Sequence, residues 1–146
     1  MKIAIGCDHG AVERKNQVVA HLQELGHEVR DFGTHTTESC DYTDYAAAAA
    51  RAVANGECDR GIVLCTTGIG VSIAANKIKG IRCALLSDLV TARMTREHND
   101  TNVMALGAAL VEKELALEIV DVWLNTPFSG IEKHVRRIDK LAELEK

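Results

Sequence analysis

The run Gly61-Ile62-Val63-Leu64-Cys65 is apolar throughout, with no two-residue alternation that would give one face to water. A strand of this kind is stable when helices cover both of its faces, which directs the chain toward a parallel α/β sheet. The rest of the sequence follows the same rhythm. Ile3 to Cys7 is a second short apolar run, ending in Asp8-His9-Gly10, and Val18, Leu22 and Leu25 follow at helical spacing before Gly26. A strand is expected around Glu28 to Phe32, a loop rich in Thr, Ser and Gly over Gly33 to Asp41, and a helix over Tyr42 to Ala54. The Ala46 to Ala50 stretch of that helix has high helical propensity and little bulk, which suits close packing on a sheet.

After Thr66-Thr67-Gly68-Ile69-Gly70 the pattern predicts a helix over Val71 to Lys77, a strand over Ile81 to Leu86 and a helix over Asp88 to His98. A strand around Val103 to Leu106 and a helix over Val111 to Leu124 come next. Beyond Pro127 lies a charged helix, Ile131 to Glu145, with Val135, Ile138 and Leu141 on its apolar stripe. Five strands alternating with helices, without repeat or linker, imply a single domain over residues 1–146. The expected architecture is a three-layer α/β/α sandwich with a five-stranded parallel sheet of flavodoxin-like order 2-1-3-4-5 and an extra C-terminal helix. Such sheets bind ligands at the carboxyl ends of the strands where the order reverses, here between the first and third strands. Those ends carry Asp8-His9 and Cys65-Thr66-Thr67-Gly68.

Composition narrows the function classes. The 146 residues carry a formal charge of −4 and no basic cluster longer than Arg136-Arg137, which argues against nucleic acid as a partner. No apolar run reaches the roughly 18 residues of a membrane helix, so no membrane partner is expected. The N-terminus enters a strand without a cleavable signal, and a cytoplasmic location follows. Five cysteines, with no C-x-x-C pair, indicate reduced thiols rather than disulfides or a zinc site. No Ser-His-Asp order, His-Glu-x-x-His or paired metal carboxylates occur, so neither a metal nor a cofactor is expected.

Gly68-Ile69-Gly70 leads from a strand end into a helix, where main-chain N–H groups and the helix dipole favour an anion. It is not a dinucleotide fingerprint, because position 73 is Ile and the motif follows the third strand. The plain alternative is a tight turn. Cys65 stands at that junction, where a helix N-terminus can lower a thiol pKa from its usual ~8.5, and a thiolate there would act as base or nucleophile. Cys7, Cys58 and Cys83 read as structural, and Cys40 as incidental. His98 closes a helix in Arg96-Glu97-His98-Asn99-Asp100, where the dipole favours the protonated ring; the alternative is a simple cap. Asp8 beside His9 can orient a hydroxylated substrate. His21, His27 and His35 read as surface or loop residues. His134 and Arg137, three apart in Lys133-His134-Val135-Arg136-Arg137, share a helical face and can hold a phosphate or simply face water.

Taken in order, Gly6-Cys7-Asp8-His9-Gly10, Asp31-Phe32-Gly33-Thr34, Asp41-Tyr42, Cys65 to Lys77, Gly80-Ile81-Arg82 and Arg96 to Asn102 resemble the ribose-5-phosphate isomerase type B family, which includes galactose-6-phosphate isomerase subunits. The resemblance runs over nearly the whole chain. It implies a metal-independent aldose–ketose isomerase acting on a sugar phosphate, most simply ribose 5-phosphate, as a homodimer or homotetramer with active sites between subunits. By that resemblance Cys65 moves the proton between C1 and C2, His98 opens the sugar ring and Thr67 completes the catalytic set. Asp8, His9, Tyr42 and Asn99 line the sugar, the amides around Gly68 and Gly70 steady the enediolate, and Lys133, His134 and Arg137 hold the phosphate. The chain departs from the family pattern at Thr66, where glycine is usual, and at Ala109, where an arginine often stands. A third departure is Gly130-Ile131-Glu132-Lys133-His134, with one residue inserted. Another sugar, or a phosphometabolite-binding module without turnover, are the competing expectations.

Overall fold

The two unalternating runs form neighbouring strands. β1 (Lys2–Cys7) and β3 (Arg60–Cys65) pair in parallel from Ile3 opposite Arg60 to Cys7 opposite Leu64, in a computed structural model that describes residues 1–146. β2 (Glu28–Asp31) flanks β1, β5 (Val103–Gly107) flanks β3, and β4 (Cys83–Leu85) lies outermost, so the order is β2-β1-β3-β5-β4. The expected positions of the last two strands are therefore exchanged. Every residue of β5 is buried, as a central strand requires, whereas β4 is only three residues long and partly exposed, as an edge allows. The reversal point stays between β1 and β3.

Side chains leave the strands alternately to the two faces. On one face Ile3, Ile5, Ile62, Leu64, Met104 and Leu106 meet Val18 and Leu22 of α1 (Val12–Glu24), Ala92 of α4 (Leu89–Asn99), and Ile119, Val120 and Trp123 of α5 (Lys113–Asn125). On the other, Ala4, Val63, Cys65 and Ala105 meet the small residues Ala46, Ala49 and Ala50 of α2 (Tyr42–Ala54) and Val71 and Ala75 of α3 (Ile69–Asn76). Alternation along β3 thus turns the Cys65 side chain toward α2 and α3. No helix is long and apolar enough to cross a membrane.

The last helix, α6 (Glu132–Glu143), is docked at its N-terminal end against the end of α4. Ser129 N–H donates to the Glu97 carbonyl at 3.3 Å, and the His134 ring stacks on His98 with centroids 4.5 Å apart. Its expected stripe is not covered by the chain itself, since Val135 and Leu141 remain 40% and 45% exposed. The end of α4 is rigidly held from within. Buried Arg96 donates to the Thr101 carbonyl, the Thr126 carbonyl and the Asp100 carboxylate, while Arg82 donates to the carbonyls of Asn99 and Asp100.

A fully buried cation fixes the loop after β2. The Lys15 ammonium lies 2.9 Å from Asp31 Oδ2, donates to the Thr34 carbonyl at 2.9 Å, and sits 3.2 Å from His35 Nδ1. Removing it takes the ammonium from a partly buried carboxylate, which keeps the Gly33 N–H, and from the Thr34 carbonyl, which keeps only the Cys7 thiol at 3.7 Å, a loss of about 3 kcal/mol. Lys15→Ala is accordingly expected to lower the free energy of unfolding, measured by urea denaturation, by that amount, whereas a surface substitution such as Lys79→Ala should leave it unchanged.

Candidate active site

The carboxyl ends of β1 and β3 bring the first half of the expected site together. Asp8, only 8% exposed, accepts the Gly10 N–H at 2.9 Å, which tightens the turn after β1. His9 follows, and its Nδ1 accepts the Cys40 backbone N–H at 3.2 Å. A neutral His9 so held carries its hydrogen on Nε2, and the ring presents a donor at that nitrogen.

Cys65 ends β3 with 6% exposure, and its Sγ accepts the Gly68 N–H at 3.1 Å. The amide reaches the sulfur because Gly68 turns with φ +79°, a conformation open to glycine, and a Cβ there would lie 2.6 Å from Leu85 and 2.8 Å from the Gly107 nitrogen. Thr67 Oγ1 accepts the Ile69 N–H at 3.3 Å, and Gly68, as the residue before α3, offers no side-chain cap. The following amides of the first helical turn are thereby left for an anion above the sheet. Gly70 is packed under Tyr42, whose ring would lie 2.9 Å from a Cβ at that position. Asp8, His9, Tyr42, Cys65, Thr67, Gly68 and Gly70 therefore share one edge of the sheet.

His98, Asn99, Lys133, His134 and Arg137 do not join them within one chain. Val103 pairs with Gly61 and Gly107 with Cys65, so the end of α4 lies where β3 begins and the thiol where β3 ends. Four residues of strand separate those levels, about 13 Å at the usual rise. At the far edge His98 is stacked on His134, which is buried at 8% exposure, while Arg137, three residues on, is exposed to solvent. Asn99 Oδ1 accepts the Thr95 hydroxyl at 3.1 Å. The expected site residues thus fall into two groups on opposite edges of the sheet.

The other thiols are set apart by burial. It pushes Cys7 and Cys83 each up to about 12 and raises Cys58 as well, so these three stay protonated at neutral pH. At Cys40 it is the main chain that orients His9, a contact no local pattern in the polar Gly33 to Asp41 loop announces. No group of three or more His, Cys, Asp or Glu side chains is placed to hold a metal ion.

Residues 3–141 match the family model described as Ribose/Galactose Isomerase. The chain is 49% identical over 144 residues to ribose-5-phosphate isomerase B of Escherichia coli (strain K12), covering 99% of this chain and 96% of that one. It is 43% identical over 131 residues to D-erythrulose-4-phosphate isomerase of Pectobacterium atrosepticum, covering 89% and 86%. Among solved structures, ribose-5-phosphate isomerase B of Clostridium thermocellum superposes with a TM-score of 0.97 at 52% identity, covering 99% of this chain and 97% of that one.

The stacked imidazoles give the far half-site a pH dependence. Burial first, then the charges of His98, Lys133 and Arg137, hold His134 below its ordinary value of 6.5. The unfolded chain therefore binds the proton more readily, and the stability His134 contributes is complete above that value and lost as pH falls below it. Urea midpoints should fall as the pH drops below 6.5, and His134→Phe should flatten that slope.

Proposed function

Because the chain belongs to the ribose/galactose isomerase family, we propose that it interconverts an aldose phosphate and its ketose phosphate, with ribose 5-phosphate and ribulose 5-phosphate as the pair. The observation that carries this reading is the Cys65 sulfur, held by the Gly68 amide at the mouth of an uncapped helix and beside Asp8 and His9. The Cys65 thiolate removes the C2 hydrogen as a proton. The electrons of that C–H bond become the C1–C2 double bond, and the former carbonyl oxygen O1 takes up the negative charge. First-turn amides of α3 steady that oxygen, a contribution of several kcal/mol in comparable sites. The Cys65 thiol then returns the proton to C1 while the hydrogen on O2 passes to O1, with the Thr67 hydroxyl placed to assist. No metal takes part.

Sugar phosphates are largely closed rings, so a second acid–base group is required, and His98 with Asn99 supplies it. Since those residues lie on the opposite edge of their own sheet, they reach Cys65 from a second copy of the chain. Lys133 and Arg137 come with them and hold the phosphate. An exposed apolar surface suits this pairing: Ile69 and Ile73 of α3, Leu85 of the edge strand, and Leu89, Val90 and Met94 of α4 are all at least 36% exposed.

Cys65→Ala should reduce solvent deuterium exchange at C2 by about 10²-fold or more, the usual worth of a positioned base. His98→Asn should cost more on cyclic substrates than on open-chain analogues. The two inactive variants, unfolded and refolded together, should regain about a quarter of wild-type activity. Half the dimers would be mixed, and each of those rebuilds one of two sites. No recovery would place the site within one chain. A panel of tetrose, pentose and hexose phosphates, with chelator present, ranks the substrates.

A further inference from the structure

Arg14, in the first turn of α1, lines a cleft of about 240 Å³ with Gly10, Glu13, Gln17, Ala108 and Ala109. The cleft adjoins the thiol half-site. The Ala109 N–H donates to the Thr66 carbonyl at 3.0 Å, and a Cβ on Gly10 would lie 2.3 Å from Thr66 Oγ1, next in sequence to Cys65. We propose that Arg14 binds the substrate's phosphate in this cleft and so fixes which sugar length is accepted, an inference that rests on the isomerase reading above.

The guanidinium is held but not used up. Its Nε donates to Gln17 Oε1 at 2.9 Å and its Nη1 to the Val111 carbonyl, both neutral acceptors, and Nη2 bonds to neither. A planar fork with donors to spare matches two phosphate oxygens better than an ammonium does. A cation in the first turn of a helix is disfavoured by the helix dipole, so helix formation alone does not select it. The methyl side chains of Ala108 and Ala109 leave the facing wall open to a phosphoryl group. With the carbonyl carbon at Cys65 and the phosphate at Arg14, the separation of the two anchors selects the carbon chain between them. Lys133 and Arg137 of a second copy then close on the phosphate from outside.

Arg14→Gln should raise KM for ribose 5-phosphate about tenfold or more, the worth of one charge-assisted contact, with kcat within about threefold. Inhibition by inorganic phosphate should weaken by the same factor, and turnover of unphosphorylated ribose should not change. Arg14→Lys should recover part of the loss. Ala109→Arg added to Arg14→Gln should restore KM by returning a guanidinium from the opposite wall. A folded Arg14→Gln protein with unaltered KM and unaltered phosphate inhibition overturns the proposal, as does an equal loss on ribose and ribose 5-phosphate. If the wild-type protein turns over no sugar phosphate, the proposed function fails, and calorimetry with inorganic phosphate on both proteins still decides the role of Arg14: equal affinities overturn it.

Discussion

A parallel sheet ends all its strands on one edge, and the main-chain bond from Gly68 holds the Cys65 sulfur at that edge. The bond needs β3 to stop at Cys65, a left-handed turn at Gly68 and a helix beginning at once at Ile69. Everything else on that edge is arranged around the result. Asp8 tightens the neighbouring turn, Cys40 sets the His9 ring through its own amide, and Tyr42 closes over Gly70. The three thiols that burial keeps protonated, Cys7, Cys58 and Cys83, lie elsewhere in the packed layers, and the proposed chemistry uses the one sulfur at the end of β3.

The same parallel arrangement separates residues that the proposed reaction needs together. A helix that leaves a strand end returns to the opposite edge before the next strand starts, so residues late in α4 cannot approach residues early in α3 of the same chain. His98 and Asn99 are late in α4, and Arg96 and Arg82 fix them there by bonds to Thr101, Thr126, Asn99 and Asp100. Under the proposed function, ring opening and proton transfer are therefore divided between two copies, and the exposed apolar side chains along α3, β4 and α4 offer those copies a surface to share.

Much of this was legible in the residues. Unalternating apolar runs at Ile3 to Cys7 and Gly61 to Cys65 announced central strands, and glycine spacing at 68 and 70 announced the helix entry between them. The order of the last two strands was not legible. Ile81 to Leu86 and Val103 to Leu106 are comparably apolar, and only three-dimensional packing decides which is enclosed. That Cys65 and His98 lie on opposite edges was implicit in the strand–helix order, because Cys65 ends a strand and His98 ends the helix that leads into the next one. Long-range contacts were equally silent: the buried Lys15 ammonium and the Cys40 amide act on partners 16 and 31 residues away.

The end of β5 packs against the turn after β3 with almost no tolerance. A methyl group on Gly107 would come within 2.5 Å of the Thr67 carbonyl, and one on Gly68 within 2.8 Å of the Gly107 nitrogen. Each position thus blocks drift at the other, and a single substitution at either must push the two backbones apart. Redesign in the laboratory is steered away from this junction. New specificity is reached instead through residues such as Thr66 and Arg14, whose side chains can change without separating the two main chains.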